Sequence, residues 1–329
     1  MDNLLNNKKH GKALPAHAAM FLACAIWGLM SPLAKDAMRN GIDGVSLVSF
    51  RVFGGMVLFW LTSWIAVLKN NHGEKTSESA PMENKPSRHD TILLCAASIF
   101  GLVLNQCCFT IGLSFTSPSN ASIITTSMPV FAMILSFLIL KEPVTVKKVG
   151  GVVVGCAGAL LLILSSAAAN SVLVGNIRGD LMCLGAQLSY ALYLTLFNRI
   201  IKKYSAVTVN KWMFLTATLL MCPFTFRHVA SLPWHTIALA TWLEVIYVVV
   251  FGTYTGYILV VWAQRILRPT VVSVYNYVQP VVAVAVGFAM GLSTFTTMQG
   301  IAVILVFVGV SLVTKSKSKR DIENDKKIS

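Results

Sequence analysis

The chain has 329 residues, of which 55% are hydrophobic and 12% charged, and its mean hydropathy is +0.69. A soluble domain carries about 25% charged residues, so the composition excludes an ordinary soluble globular protein. The net charge of +14 is not that of a nucleic-acid module either. Its Lys and Arg residues lie mostly in connections and tails, with no basic, aromatic-interleaved motif.

Apolar blocks long enough to cross a bilayer, about 20 residues each, recur along the chain. After a short segment, 1–14, charges and turn residues divide the chain into ten predicted helices. Their limits are 15–34, 45–68, 91–112, 119–140, 146–166, 179–199, 207–226, 236–263, 270–291 and 296–314. The first block occupies the place of a signal peptide, but its length, its lack of a cleavage site and the spans behind it predict a retained helix. Between the second and third helices lies "KNNHGEKTSESAPMENKPSRHD" (69–90), a polar loop unable to bury a core. A connection at 167–178 joins the fifth and sixth helices, and a basic tail occupies 315–329. The seven cysteines fall within apolar segments in odd number and read as small buried hydrophobes. Neither they nor the six histidines have metal-ligand spacing, so no metal or cofactor is expected.

Counted by side, with the N-terminus inside, the inner segments hold 22 Lys and Arg and the outer connections 4; Arg51 lies within a span. This asymmetry predicts that both termini face the cytoplasm. The expected setting is a multi-pass protein of a bacterial inner membrane.

Two stretches repeat. In "SPSNASIITTSMPVF" (117–131) and "RPTVVSVYNYVQPVV" (268–282), Pro118 aligns with Pro269 and Pro129 with Pro280, both at an offset of 151. Gly150 and Gly300 follow at 150, and "CAIWGLM" (24–30) loosely matches "QLSYALY" (187–193). Units at 15–166 and 179–314 then hold five helices each. Because five is odd, the second copy enters the membrane from the opposite side, the inverted-repeat design of many transporters. The expected fold is therefore an all-α integral membrane protein with ten transmembrane helices in two inverted five-helix repeats around a central cavity.

Polar side chains inside the spans are the candidate site. In the ninth helix, Tyr275, Asn276 and Gln279 precede Pro280. Groups of this kind avoid lipid and either line a cavity or join helices. Their repeat partners Thr125, Thr126 and Ser127 precede Pro129, and both prolines are expected to kink their helices. Asn105 and Gln106 lie side by side, and at least one must face inward. Trp27, Gln187, Tyr190 and Tyr193 offer an aromatic and amide wall, and Trp27 alone fits plain packing as well. Glu244, Tyr247, Phe251, Tyr254 and Ile258 form a stripe at helical spacing, with Tyr254 a candidate solute contact. Two ionisable groups lie deep, Arg51 and Glu244. Either they form an ion pair, or Glu244 binds a coupling proton, or Arg51 caps carbonyls while Glu244 meets headgroup water. Lys141, Glu142, Lys147 and Lys148 read as anchors at the cytoplasmic edge. The Asn120 sequon abuts a helix, and "KKIS" at the end matches a short basic retrieval signal.

Five segments carry a family resemblance: Trp27–Gly28, Phe50–Arg51, "SPSNASIITTSMPVF", "KEPVTVKKVGG" (141–151) and "QPVVAVAVG" (279–287). Together they resemble the EamA type of the drug/metabolite transporter superfamily over about residues 15–314. The resemblance implies ten helices, a central cavity and movement of small organic solutes, often export of amino acids or other metabolites. It departs at "GLSTFTTMQG" (291–300), where the family often repeats an acidic residue. With no phosphate-binding loop and no nucleophile–His–acid set, the expected activity is secondary transport of a small organic solute, with protons a candidate coupling ion, and not enzyme catalysis. The rival readings are a strict exchanger of nucleotide sugars or sugar phosphates, and from other classes a channel or a membrane-embedded enzyme.

Overall fold

The computed structural model describes residues 2–71, 86–115, 121, 124–170, 177–289 and 297–316, and among them every regular element is helical. Helix α1 is Asp2–Arg39, α2 Gly44–Asn71 and α3 Arg88–Phe115. Then come α4 (Met128–Leu140), α5 (Val146–Asn170) and α6 (Ile177–Leu196). A short helix, Asn198–Lys203, leads into α7 (Ala206–Ala230). The last three are α8 (Leu239–Gln264), α9 (269–289) and α10 (Thr297–Thr314). Six of them are long and apolar enough to cross a membrane: α1 from Ala13, α2 to Leu68, α3, α7, α8 and α10. Residues 72–85 of the polar loop, Pro118, the Asn120 sequon, 171–176 and the tail from 317 lie outside the described residues.

Helix is what an apolar run must adopt where water cannot satisfy its backbone. Short polar caps fix the ends. Ser87 and Ser205 each accept the amide three residues on at 3.1 Å, and Asp43 accepts those of Val45 and Ser46.

Two predicted helices, 119–140 and 270–291, are not continuous. The chain turns at Thr126–Ser127 before α4, and α9 tightens into a 3-10 turn at Tyr275–Tyr277. A proline ring clashes with the carbonyl four residues back. For Pro129 and Pro280 that carbonyl belongs to residue 125 or 276, where each interruption sits. The prolines themselves occupy the first turn of the resumed helix, where a missing N–H costs nothing. Helices α3 and α8 are also interrupted, by π stretches at Ile99–Leu104 and Val248–Thr255 that the sequence did not predict.

The packing has an exchange symmetry. Helix α1 lies on α8 and α9, and α6 lies on α3 and α4; α2 packs against α7 and α8, and α7 against α2 and α3; α5 packs against α10. Replacing each helix by the one five places away leaves this set unchanged. Two hydrogen bonds join residues 151 apart, Gln106 Nε2 to Tyr257 Oη (2.9 Å) and Tyr277 Oη to the Thr126 carbonyl (3.4 Å). Positions separated by the repeat offset that touch each other lie where the two halves meet.

At the α5–α10 seam the two backbones approach closely. A Cβ on Gly309 would lie 2.5 Å from the Gly155 backbone, and one on Gly158 would lie 2.9 Å from the Ala302 carbonyl. Small residues let two membrane helices gain dispersion energy along their backbones. Lys148 departs from its expected role as a surface anchor. It is 1% exposed, its ammonium lies 2.9 Å from Glu142, and the same carboxylate oxygen accepts from Thr270 of α9 at 3.1 Å. A second tie joins the α6–α7 connection to α3, where Lys203 and Tyr204 both donate to Asp90. That carboxylate holds the Lys203 ammonium and the Tyr204 hydroxyl above their ordinary pKa values.

Candidate functional site

A cavity of about 100 Å³ lies where the two sets of helices meet. From the first half it is lined by Trp27 and Met30 of α1, Arg51 of α2, Asn105, Gln106 and Phe109 of α3, and Thr125 before α4. From the second it is lined by Gln187 and Tyr190 of α6, Tyr257 of α8, and Asn276 and Gln279 of α9. The Gln106–Tyr257 contact between repeat mates is part of its wall, and Thr125 and Asn276, also 151 apart, face it together.

Of the predicted solute contacts, Trp27, Asn105, Tyr190, Asn276 and Gln279 are brought together here. Tyr275 and Tyr254 are not. The Tyr275 hydroxyl meets His17 Nδ1 at 2.9 Å, and that of Tyr254 meets Thr62 at 2.6 Å with its ring against Phe59. For Tyr254 the reason lies in the π stretch of α8. Each i→i+5 bond inserts a residue relative to the α pattern, so the face that carries Tyr247 no longer carries Tyr254. Tyr257, which α-helical counting leaves off the stripe, turns inward instead.

Local backbone demands hold several of these side chains. The indole N–H of Trp27 donates to the Gly252 carbonyl in the α8 π stretch at 2.7 Å, and its ring stands edge-on to Tyr257. In the other half, Ser189 of α6 donates to the Phe100 carbonyl in the α3 π stretch at 2.7 Å. Gly28 lets α1 approach α9, since a Cβ there would meet the Gln279 carbonyl at 2.7 Å. The Gln279 amide donates to Asn276 Oδ1 at 2.7 Å, Asn276 Nδ2 points at Met128 sulfur at 3.2 Å, and Asn105 donates to the Ala186 carbonyl at 2.9 Å. Gln106 Oε1 and the Tyr190 hydroxyl are buried with no hydrogen-bond partner among the described residues.

Arg51 and Glu244 do not pair. Arg51 is 9% exposed, and its Nε donates to Thr253 Oγ1 at 3.1 Å. Glu244 sits nine positions before Thr253, about two helical turns away along α8. Its carboxyl faces Asp36 of α1. Because α8 begins at Leu239 rather than 236, Glu244 lies about a turn nearer the end of its helix than the sequence implied.

The same two-part organisation appears when the chain is compared with known proteins. The EamA-like transporter family model matches twice, over residues 14–164 and 177–315. The chain belongs to the EamA-like transporter family. This EamA chain is 23% identical over 237 residues to the uncharacterized transporter YetK of Bacillus subtilis, covering 71% of each. It is 25% identical to a WAT1-related protein of Arabidopsis thaliana, covering 94% of this chain and 86% of that one. A protein crystal structure superposes with a TM-score of 0.68 at 17% identity, over 92% of this chain and 98% of the other, and so shares the fold. The chain is thus a multi-pass membrane protein of a transporter family for small solutes.

Proposed function

We propose that this EamA chain is a secondary active transporter that exports small organic metabolites by alternating access. Its ten helices form two inverted five-helix repeats, 15–166 and 179–314, with both termini in the cytoplasm of a bacterial inner membrane. The observation that carries this reading is the position of the cavity. It takes its lining from both halves, and its wall includes two repeat mates in contact, Gln106 and Tyr257. A site on the axis between two like bundles can open to one side or the other as they rock, at small cost in rearranged contacts. The count of 22 inner against 4 outer basic residues supports the orientation.

Trp27, Asn105, Tyr190, Asn276 and Gln279 contact the solute, with Gln106, Gln187 and Tyr257 beside them. Glu244, a carboxyl within a membrane-spanning helix whose side chain faces Asp36, is the proton-coupling group. A strict exchanger of sugar phosphates or nucleotide sugars fits less well, because among the described residues Arg51 is the one cationic side chain that lines the cavity. The test is uptake and efflux in proteoliposomes over a metabolite panel, with and without a pH gradient. Glu244→Gln should remove the stimulation by a pH gradient and leave exchange at equal pH. Gradient-driven flux unchanged in that variant contradicts the assignment of Glu244.

A further inference from the structure

Arg51 brings a charge into the cavity that no neighbour answers. Its side chain is more than nine-tenths buried, and its Nε is fixed to Thr253 Oγ1, itself bonded to the Val248 carbonyl at 2.9 Å. Among the described residues the two terminal nitrogens of the guanidinium have no hydrogen-bond partner, and the group lines the cavity. No Asp or Glu lines it, and no ion pair reaches Arg51 among the described residues. Glu244, the nearest acid anticipated for it, faces Asp36 instead.

A buried cation with a free planar fork, held by one edge, matches one ligand group best: a carboxylate taking both terminal nitrogens. Among the described residues the remaining lining is neutral: amides, aromatic rings, the Met30 side chain and the Thr125 hydroxyl. One positive charge balances one negative charge, so a doubly charged phosphate would leave an excess and an ammonium would meet repulsion. A cavity of about 100 Å³ is also small beside the roughly 300–1,000 Å³ of sites for drug-sized ligands. Gln106 Oε1, buried and unpartnered, offers an acceptor to a hydroxyl or amino group on the same molecule.

We infer that Arg51 is the anion anchor of the cavity and that the solute is a small organic monocarboxylate. This inference rests on the reading of the cavity as the transport site. Plain, 2-hydroxy and 2-amino acids share the carboxylate, and the Gln106 oxygen would rank 2-hydroxy acids above plain ones.

The experiment is equilibrium binding to the full chain in lipid nanodiscs, using matched trios. Hexanoate is compared with hexanamide and hexylamine, and phenylacetate with phenylacetamide and phenethylamine. 2-Hydroxyhexanoate and 2-aminohexanoate separate the acid subclasses. Each carboxylate should bind at least about tenfold tighter than its amide, as charge-assisted bonds exceed neutral ones, and the amines should bind weakest. Arg51→Gln should abolish that preference and keep amide binding, while Arg51→Lys should keep the preference at lower affinity. Amides or amines binding as tightly as acids to the wild-type protein would overturn the inference without any variant having to fold. So would Arg51→Gln retaining the preference, or no carboxylate binding at millimolar concentration. Counterflow measurements separate the two readings. Carboxylates that bind yet are never moved contradict transport and leave the anion anchor standing, whereas equal counterflow of amides or amines contradicts the anchor and leaves transport standing.

Discussion

Trp27 and Tyr257 meet edge to face at the cavity, and each is held by a backbone irregularity rather than by its neighbours in sequence. The indole N–H of Trp27 completes the Gly252 carbonyl that the π stretch releases. Trp27→Phe should therefore lower thermal stability in detergent by about 1–3 kcal/mol, the cost of a buried unpaired group. No loss would mean that another group takes over the carbonyl. Tyr257 and Tyr254 give a paired test of the register. Tyr257→Phe, which removes a hydroxyl at the cavity wall, should change solute affinity, and Tyr254→Phe, whose hydroxyl is tied to Thr62, should not. The reverse result in solute binding would contradict the inward turn of Tyr257. Asn105, Asn276 and Gln279 were legible from sequence because amides have few favourable places in an apolar span. Tyr257 was not legible, because an α-helical count rotates it away, and no single residue announces a π stretch. One signal was present all the same. Phe100–Gly101 and Phe251–Gly252 lie 151 apart, the offset of the prolines, and each dipeptide sits inside a π stretch.

Helices α5 and α10 are held together by glycines, and α4 and α9 are set by their interruptions. Gly309 meets Gly155 with no room for a Cβ, so Gly309→Leu must force the helices apart. Overpacking of this kind costs about 1–3 kcal/mol, occasionally more. A Cβ on Gly185 of α6 would meet nothing within 4 Å, and Gly185→Ala should be neutral or stabilising, by up to about 1 kcal/mol from helix propensity. Melting curves of the two variants test the seam. Equal melting temperatures would show that the close approach does not matter for stability. The breaks before α4 and within α9 could be placed roughly from Pro129 and Pro280. Their consequence could not, because it is tertiary: Tyr277 reaches across to the Thr126 and Val152 carbonyls at 3.4 and 3.3 Å. Charge arithmetic likewise marked Lys148 as a surface residue, since the sequence gives no sign that Glu142 and Thr270 close over it.

At the scale of the molecule, the offset of 151 organises the rest. It relates the interruptions of α4 and α9, places mates in contact at Gln106–Tyr257 and Thr126–Tyr277, and underlies the exchange of α1 on α8 and α9 with α6 on α3 and α4. Two halves so related have no built-in preference for one closed arrangement, and the sequence differences between them supply the bias. The account predicts a site that both halves enclose and that moves solute by turning, not by opening a pore. Counterflow of labelled solute into proteoliposomes loaded with unlabelled solute tests this most directly. Wild-type protein should give a transient overshoot of label above equilibrium, and the Asn276→Ala, Gln279→Ala double variant should lose it at the same solute concentration. Flux that rises linearly with the gradient without overshoot, or an overshoot untouched by the double variant, would contradict the account.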